Sequence, residues 1–254
     1  DDPLEQPSWA PLTDQLPSLA IGDVRFDPLD PTGNTLFAGT GSASSLLGAG
    51  GPAIGVLKST DGGDTWRVIP VNPGAEPQIR AVLPTTFDTD AGTAGVQQAV
   101  LVGTTGGVYR STNGGQTYGL ISGTNGLPAG AVTHLVIDPN NASRVYTGVA
   151  GQGVFRSDNG GGTWTPANTN LTGLATSTAI ELAVHPGGGS TVVYAIVSGP
   201  NPAVFSSNNG GANWTPLAAL PASFTSNFNN LYASAAQDQI VVDPTNSQIV
   251  YVSK

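Results

Sequence analysis

Cysteine and methionine are both missing from this 254-residue chain. The first absence excludes a disulfide framework, a thiolate metal site and a cysteine nucleophile. The second extends to residue 1, so the chain reads as processed, excised or part of something longer. Charge is scarce too: Asp, Glu, Lys and Arg make up 10% of the residues, and the 8 basic ones are scattered singly against 17 acidic ones. A net charge of −9 without a basic patch excludes a nucleic-acid or anionic-membrane partner. No apolar run approaches the roughly 20 residues that cross a bilayer as a helix. Aromatics are sparse at 7%.

Glycine and proline are abundant, 35 and 20 residues, beside 39% hydrophobic content. That combination describes a turn-rich globular chain and not a disordered one. Low lysine with no cysteine or methionine fits an extracellular or cell-surface protein, of prokaryotic type. Self-similarity organises the rest. Ser157-Asp158-Asn159-Gly160-Gly161-Gly162-Thr163-Trp164 recurs as Ser59 to Trp66, Ser111 to Tyr118 and Ser207 to Trp214, its first serines 52, 46 and 50 residues apart. A period of this size marks a repeat architecture.

Each copy reads as a hairpin turn. Asp61, Asn113, Asn159 and Asn209 can bond nearby backbone N–H groups. The glycine pairs that include Gly63, Gly115, Gly161 and Gly211 accept positive φ. Apolar strand residues precede each copy, and the aromatic at its end (Trp66, Tyr118, Trp164 or Trp214) anchors the return strand, with burial contributing roughly 1.5–3 kcal/mol. Around each turn lie short apolar runs bounded by Gly, Pro, Asn and Asp. They predict four-stranded units over about 21–70, 79–122, 132–168 and 180–217, and a partial unit over 238–254.

The octapeptide, with Ser59, Ser111, Ser157 and Ser207 at its head, resembles the Asp-box or BNR repeat. That repeat belongs to β-propellers such as sialidases, xyloglucanase-type hydrolases, sortilin-type receptors and a photosystem II assembly factor. The resemblance implies an all-β propeller of four-stranded antiparallel blades, a single domain over 1–254. It also implies that the boxes are structural and lie away from the ligand face. Four blades and a half do not close a ring of ordinary size, so the expectation is a section of a larger propeller or an irregular small one. Residues 1–20, with Pro7-Ser8-Trp9-Ala10-Pro11-Leu12, read either as a closing strap carrying an outer strand or as the remnant of an upstream blade.

In propellers the first strand of each blade lines the central channel, and the aligned first-strand positions here are Asp23, Ala81, His134, Glu181 and Gln239. Asp23, Glu181 and His134 are the candidates for acid–base chemistry, with His134 beside Glu181 suited to proton relay or metal binding. A water-lined channel of assorted polar groups is the plainer reading. Phe224, Phe228 and Tyr232, on the long entry segment 217–238, are the candidate ligand-binding residues, suited to sugar stacking or protein docking. Asp27, Asp30 and Asn34, and Asp88 with Asp90, would suit only calcium, but supply fewer than its six to eight oxygens. The Asp27-Pro28, Asp138-Pro139, His185-Pro186 and Asp243-Pro244 pairs recur in successive units and read as turn chemistry. Lys58, Arg110 and Arg156, each directly before a box, read as part of the repeat and not as a substrate clamp.

A sialidase would need an arginine triad that this pattern does not supply, and a sortilin-type receptor lacks its Cys-rich companion here. An inverting hydrolase would need two carboxylates across a cleft, and Asp23 and Glu181 are the first-strand pair on offer. The sequence therefore points to a noncatalytic extracellular binding or scaffold module of a larger protein, adhesive or assembly-forming. Its partners would be a glycan or a protein surface and the rest of its own polypeptide, with no cofactor. A glycoside hydrolase completed by further blades stands as the alternative.

Overall fold

The second strands of two repeats are buried on both faces: every residue of Val192–Ser198 is buried, as is every residue of Gln98–Thr104. A strand covered on both sides reads as a continuous hydrophobic run and not as an alternation. The computed structural model describes residues 14–18, 20–41, 51–92, 95–217 and 239–253. Within them the chain forms four antiparallel four-stranded sheets and one two-stranded sheet, each built from consecutive strands. The first sheet is β1 (Ile21–Phe26), β2 (Leu36–Thr40), β3 (Val56–Ser59) and β4 (Arg67–Ile69). The second is β5 (Ile79–Asp88), β6 (Gln98–Thr104), β7 (Gly107–Ser111) and β8 (Gly119–Leu120). The third is β9 (Val132–Asp138), β10 (Asn141–Val149), β11 (Gly153–Ser157) and β12 (Thr165–Pro166). The fourth is β13 (Ala179–His185), β14 (Val192–Ser198), β15 (Ala203–Ser207) and β16 (Thr215–Pro216), and the last pairs β17 (Gln239–Val242) with β18 (Val250–Ser253). The one helical piece among the described residues is a 3-10 turn at Leu174–Thr176.

The five sheets stand side by side as blades of a β-propeller, and residues of the first strands β1, β5, β9, β13 and β17 line one cavity. The hydrophobic cores lie between blades. Phe37 and Val56 of blade one pack with Ile79, Val82 and Val100 of blade two. Leu101 and Val108 of blade two pack with Val132, Leu135 and Val145 of blade three. The same pattern continues from blade three to four around Tyr146, Ile180 and Phe205, and from four to five around Ile196, Ile240 and Val242.

The four octapeptides form the same turn. Ser59 Oγ bonds Asp61 Oδ1 and accepts from the Gly63 amide, while Asp61 Oδ1 accepts from Thr65 N. Asn113, Asn159 and Asn209 take the aspartate's place, and each accepts from the backbone N–H four residues on, at 2.8–3.0 Å. The first glycine of each turn donates to the start of its own second strand, as in Gly160 N to Ser143 O and Gly210 N to Thr191 O. All four turns therefore lie on one face.

Their aromatics are not equally anchored. Trp164 and Trp214 are 3% and 2% exposed, and their Nε1 groups donate to Gly161 O and Ala167 O. Trp66 and Tyr118 are only partly buried, and Trp66 Nε1 and Tyr118 Oη are buried without hydrogen-bond partners. The cause is the neighbour. Each aromatic is covered by the segment leaving the preceding blade: Thr169 O accepts from Trp214 N, Asn125 O from Trp164 N, and Val71 belongs to the core that Tyr118 packs against. For Trp66, in the first described blade, no such segment is found among the described residues.

The basic residue before each box ties one blade to the next. Lys58 Nζ donates to Gly114 O at 2.9 Å, Arg110 Nε to Gly160 O at 2.8 Å and Arg156 Nη1 to Gly210 O at 3.3 Å. The fourth blade has Ser206 at this place. Lys58→Met keeps the length of the side chain and removes the tie, and Gly114 O loses a charged donor. It should lower stability by about 1.5–3 kcal/mol in denaturant titration.

The seam between blades four and five differs in a second respect. Gly39, Gly103 and Gly148 sit opposite Asp23, Ala81 and His134 in their ladders, and a Cβ on any of them would strike the next blade's inner residues. Ile196 stands at that place opposite Glu181. At the two ends of the arc apolar side chains are bare: Phe26 is 65% exposed in β1, and Tyr251 is 59% exposed in β18 beside Val241 of β17.

Candidate functional site

The cavity along the first strands has a volume of about 550 Å³. It is lined by Asp23, Arg25, Arg80, Thr133, His134, Glu181 and Gln239 among its polar residues, and among the described residues no Phe, Tyr or Trp lines it. The aligned positions inferred from the sequence therefore meet around one space, except that blade two contributes Arg80 and not Ala81.

Two of the three acid–base candidates are engaged in blade-to-blade bonds. Asp23 Oδ2 accepts from Val82 N of the next blade at 3.0 Å, and its carboxylate is also paired with Arg25 Nε at 3.1 Å. His134 does the equivalent from blade three: Leu182 N of blade four donates to its Nδ1 at 3.0 Å. Thr133 completes that seam, donating to Ile180 O and accepting from Ile180 N.

The bond from Leu182 decides the state of the imidazole. An N–H pointed at Nδ1 requires a lone pair there, so the proton of the neutral ring sits on Nε2. Burial, together with the Arg25 charge, pushes the His134 pKa down to about 4. Glu181 Oε2 lies 3.6 Å from the same Nδ1. With a lone pair on that nitrogen the approach is a contact between a neutral ring and a carboxylate, not an ion pair, and a relay through Nδ1 is closed. Through Nδ1 His134 thus has a structural role at this seam.

Glu181 is 6% exposed. Its carboxylate acts on Arg80, whose guanidinium pKa is lowered by burial and raised again by that charge. Arg80 Nε is buried without a hydrogen-bond partner. Sequence reasoning did not single out Arg80. The signal was present: a cation at the start of an otherwise apolar strand, one place before the aligned position.

The other candidates fall out as follows. Phe224, Phe228 and Tyr232 lie outside the described residues, as does most of 1–20. Asp30 accepts from Thr32 N and Oγ1 and from Thr35 N, which holds its carboxyl well below the usual range. Asp88 Oδ1 accepts from Asp90 N and Gln97 N. Among the described residues no three His, Cys, Asp or Glu side chains are grouped to hold a metal ion. The residues before the recurring prolines both close their own turns and cross seams. Asp27 accepts from Leu29 N and Gln98 Nε2, Asp138 from Asn140 N and Thr191 Oγ1, and His185 receives Gly187 N at Nδ1 while Nε2 meets Pro244 O at 3.2 Å.

No protein-family model matches the sequence, and no curated protein matches it by sequence. Solved structures match the fold. The GH74 enzyme of Niastella koreensis superposes with a TM-score of 0.58 at 22% identity, over 90% of this chain and 34% of that one. The GH74 xyloglucanase from Xanthomonas campestris superposes with a TM-score of 0.57 at 19% identity, over 91% of this chain and 35% of that one. This chain thus spans about a third of the length of these structures. At such identities the likeness is one of architecture, and the architecture it shares with them is the β-propeller.

Proposed function

We propose that the chain is a noncatalytic binding or scaffold module, built of Asp-box blades, within a larger extracellular or cell-surface protein. The observation that carries this is the occupation of the channel's acid–base groups. Asp23 Oδ2 and His134 Nδ1 each accept from a backbone N–H of the following blade. What remains for a ligand is a polar, charge-compensated cavity that suits recognition of a glycan or a protein surface through hydrogen bonds.

The bare apolar faces at Phe26 and at Tyr251 support the presence of further blades of the same polypeptide on either side. Residues 1–254 then form one section of a single propeller domain. A second reading, a glycoside hydrolase, is favoured by one observation: Asp23 and Glu181 border the same cavity.

The two readings separate in one assay. Purified protein is incubated with xyloglucan, mixed-linkage β-glucan and sialyllactose, and release of reducing ends or sialic acid is followed alongside binding to an array of glycans and proteins. The expected result is binding without turnover, weakened about tenfold by Arg80→Gln. Turnover abolished by Glu181→Gln would establish the hydrolase instead.

A further inference from the structure

The face that carries the box turns holds a cleft unlike its neighbours. It lies between blades two and three, has a volume of about 600 Å³, and is lined by Phe87, Asp90, Gln97, Arg110, Asn113 and Asn159 with nearby threonines. This volume is within the roughly 300–1,000 Å³ common for small-molecule sites. The corresponding cleft between blades three and four is about 470 Å³, has no aromatic in its wall, and its Asp138 and Arg144 pair with each other at 3.5 Å.

The difference comes from one ribbon. In the other blades the first strand ends at or just before the turn-forming residue ahead of proline; β5 runs for 10 residues, to Asp88. The ribbon is braced: Thr89 N and Oγ1 both donate to Gln97 O, Thr89 Oγ1 also donates to Thr112 O of the adjacent box, and Phe87 N donates to Thr85 Oγ1. It carries Phe87 onto the box of the next blade. The Phe87 ring lies against Gly160, where φ is +60° and any Cβ would collide with the ring edge. A half-buried aromatic is thus held against a backbone that only glycine can supply.

The polar wall is equally fixed. Arg110 Nε is bonded to Gly160 O, which aims the guanidinium along the cleft. Asn113 and Asn159 are held by their own turns, bonding Thr117 and Thr163. Gln97 and Asp90 border the same space. A flat apolar ring beside guanidinium, amide and carboxylate groups matches a pyranose, which offers an apolar C–H face and a rim of hydroxyls that both donate and accept.

We infer that this cleft is a second ligand site, for a neutral oligosaccharide stacked on Phe87 and hydrogen-bonded by Arg110 and Gln97. It lies apart from the channel and does not depend on what the channel binds.

The test is calorimetric titration of the full chain with cellotetraose, xylotetraose and mannotetraose. At least one should bind with a dissociation constant of about 1 mM or below. Phe87→Ala should weaken it about tenfold and Gln97→Ala about threefold, while Arg80→Gln in the channel leaves it unchanged. Should Phe87→Ala not fold, as read by circular dichroism, Gln97→Ala and the amide shift of Gly160 on titration carry the test. Absence of binding by all three sugars at millimolar concentration would overturn the inference. So would binding that Arg80→Gln weakens and the Phe87 and Gln97 variants leave intact; that outcome would move the sugar to the channel and leave the binding-module reading standing.

Discussion

Trp214→Ala should destabilise the protein by about 3–5 kcal/mol, the range for removing a large buried aromatic. The indole is 2% exposed, belongs to the core shared by blades three and four, and donates from Nε1 to Ala167 O across the seam. Its loss opens a cavity and leaves Ala167 O without that donor. Trp66→Ala, at the same place in the repeat, should cost less than half as much in the same denaturant titration, because its indole is only partly buried and its Nε1 makes no bond. Equal losses at the two positions would mean that the covering segment from the preceding blade does not set the anchor's strength.

Gly148→Val should be similarly severe, at about 3 kcal/mol or more, for the opposite reason. Here the change adds volume where none exists. Gly148 lies in the middle strand of blade three, opposite His134, and a Cβ would meet Ile180 O and the Ile180 side chain of the next blade. Neither can retreat, since Ile180 is fully buried and its backbone is bonded on both sides to Thr133. The expected reading is a lower denaturation midpoint together with faster amide exchange in β9 and β13. A tolerated valine would show that the blades are not in contact at this seam.

The turn octapeptides were legible because their chemistry is local: a serine, an Asx side chain and two glycines close a loop within eight residues, and repetition made the pattern plain. The blade strands followed from the spacing. The seams were harder. Lys58, Arg110 and Arg156 could be seen to recur, but their acceptors lie 50 to 56 residues away, on the next repeat. The same holds in the channel. His134 and Glu181 could be aligned as neighbours from their positions in the repeat, yet the partner that governs the imidazole is the amide of Leu182, and a backbone N–H has no signature in composition or spacing. The unequal anchoring of Trp66 and Trp214 was invisible for a related reason: it depends on what precedes each blade, not on the box itself. Phe87 was passed over because an expanded turn in a single blade reads as an insertion until the ribbon is seen lying on Gly160.

The central proposal is that Asp23 and His134 hold adjoining blades together, and His134 reports on it directly. Its depressed pKa means that the unfolded chain takes up a proton that the fold refuses. Stability is therefore full above about pH 6.5 and declines as pH falls through the interval down to about 4, by up to about 3 kcal/mol. The decisive measurement is nitrogen-15 NMR of the two histidine side chains across this interval, with His134→Gln for assignment. The account predicts that His134 is the Nε2–H tautomer at neutral pH and takes up a proton only near pH 4. An Nδ1–H tautomer, or a midpoint near the ordinary value of about 6.5, would free that nitrogen from Leu182, restore the relay to Glu181 and contradict the account.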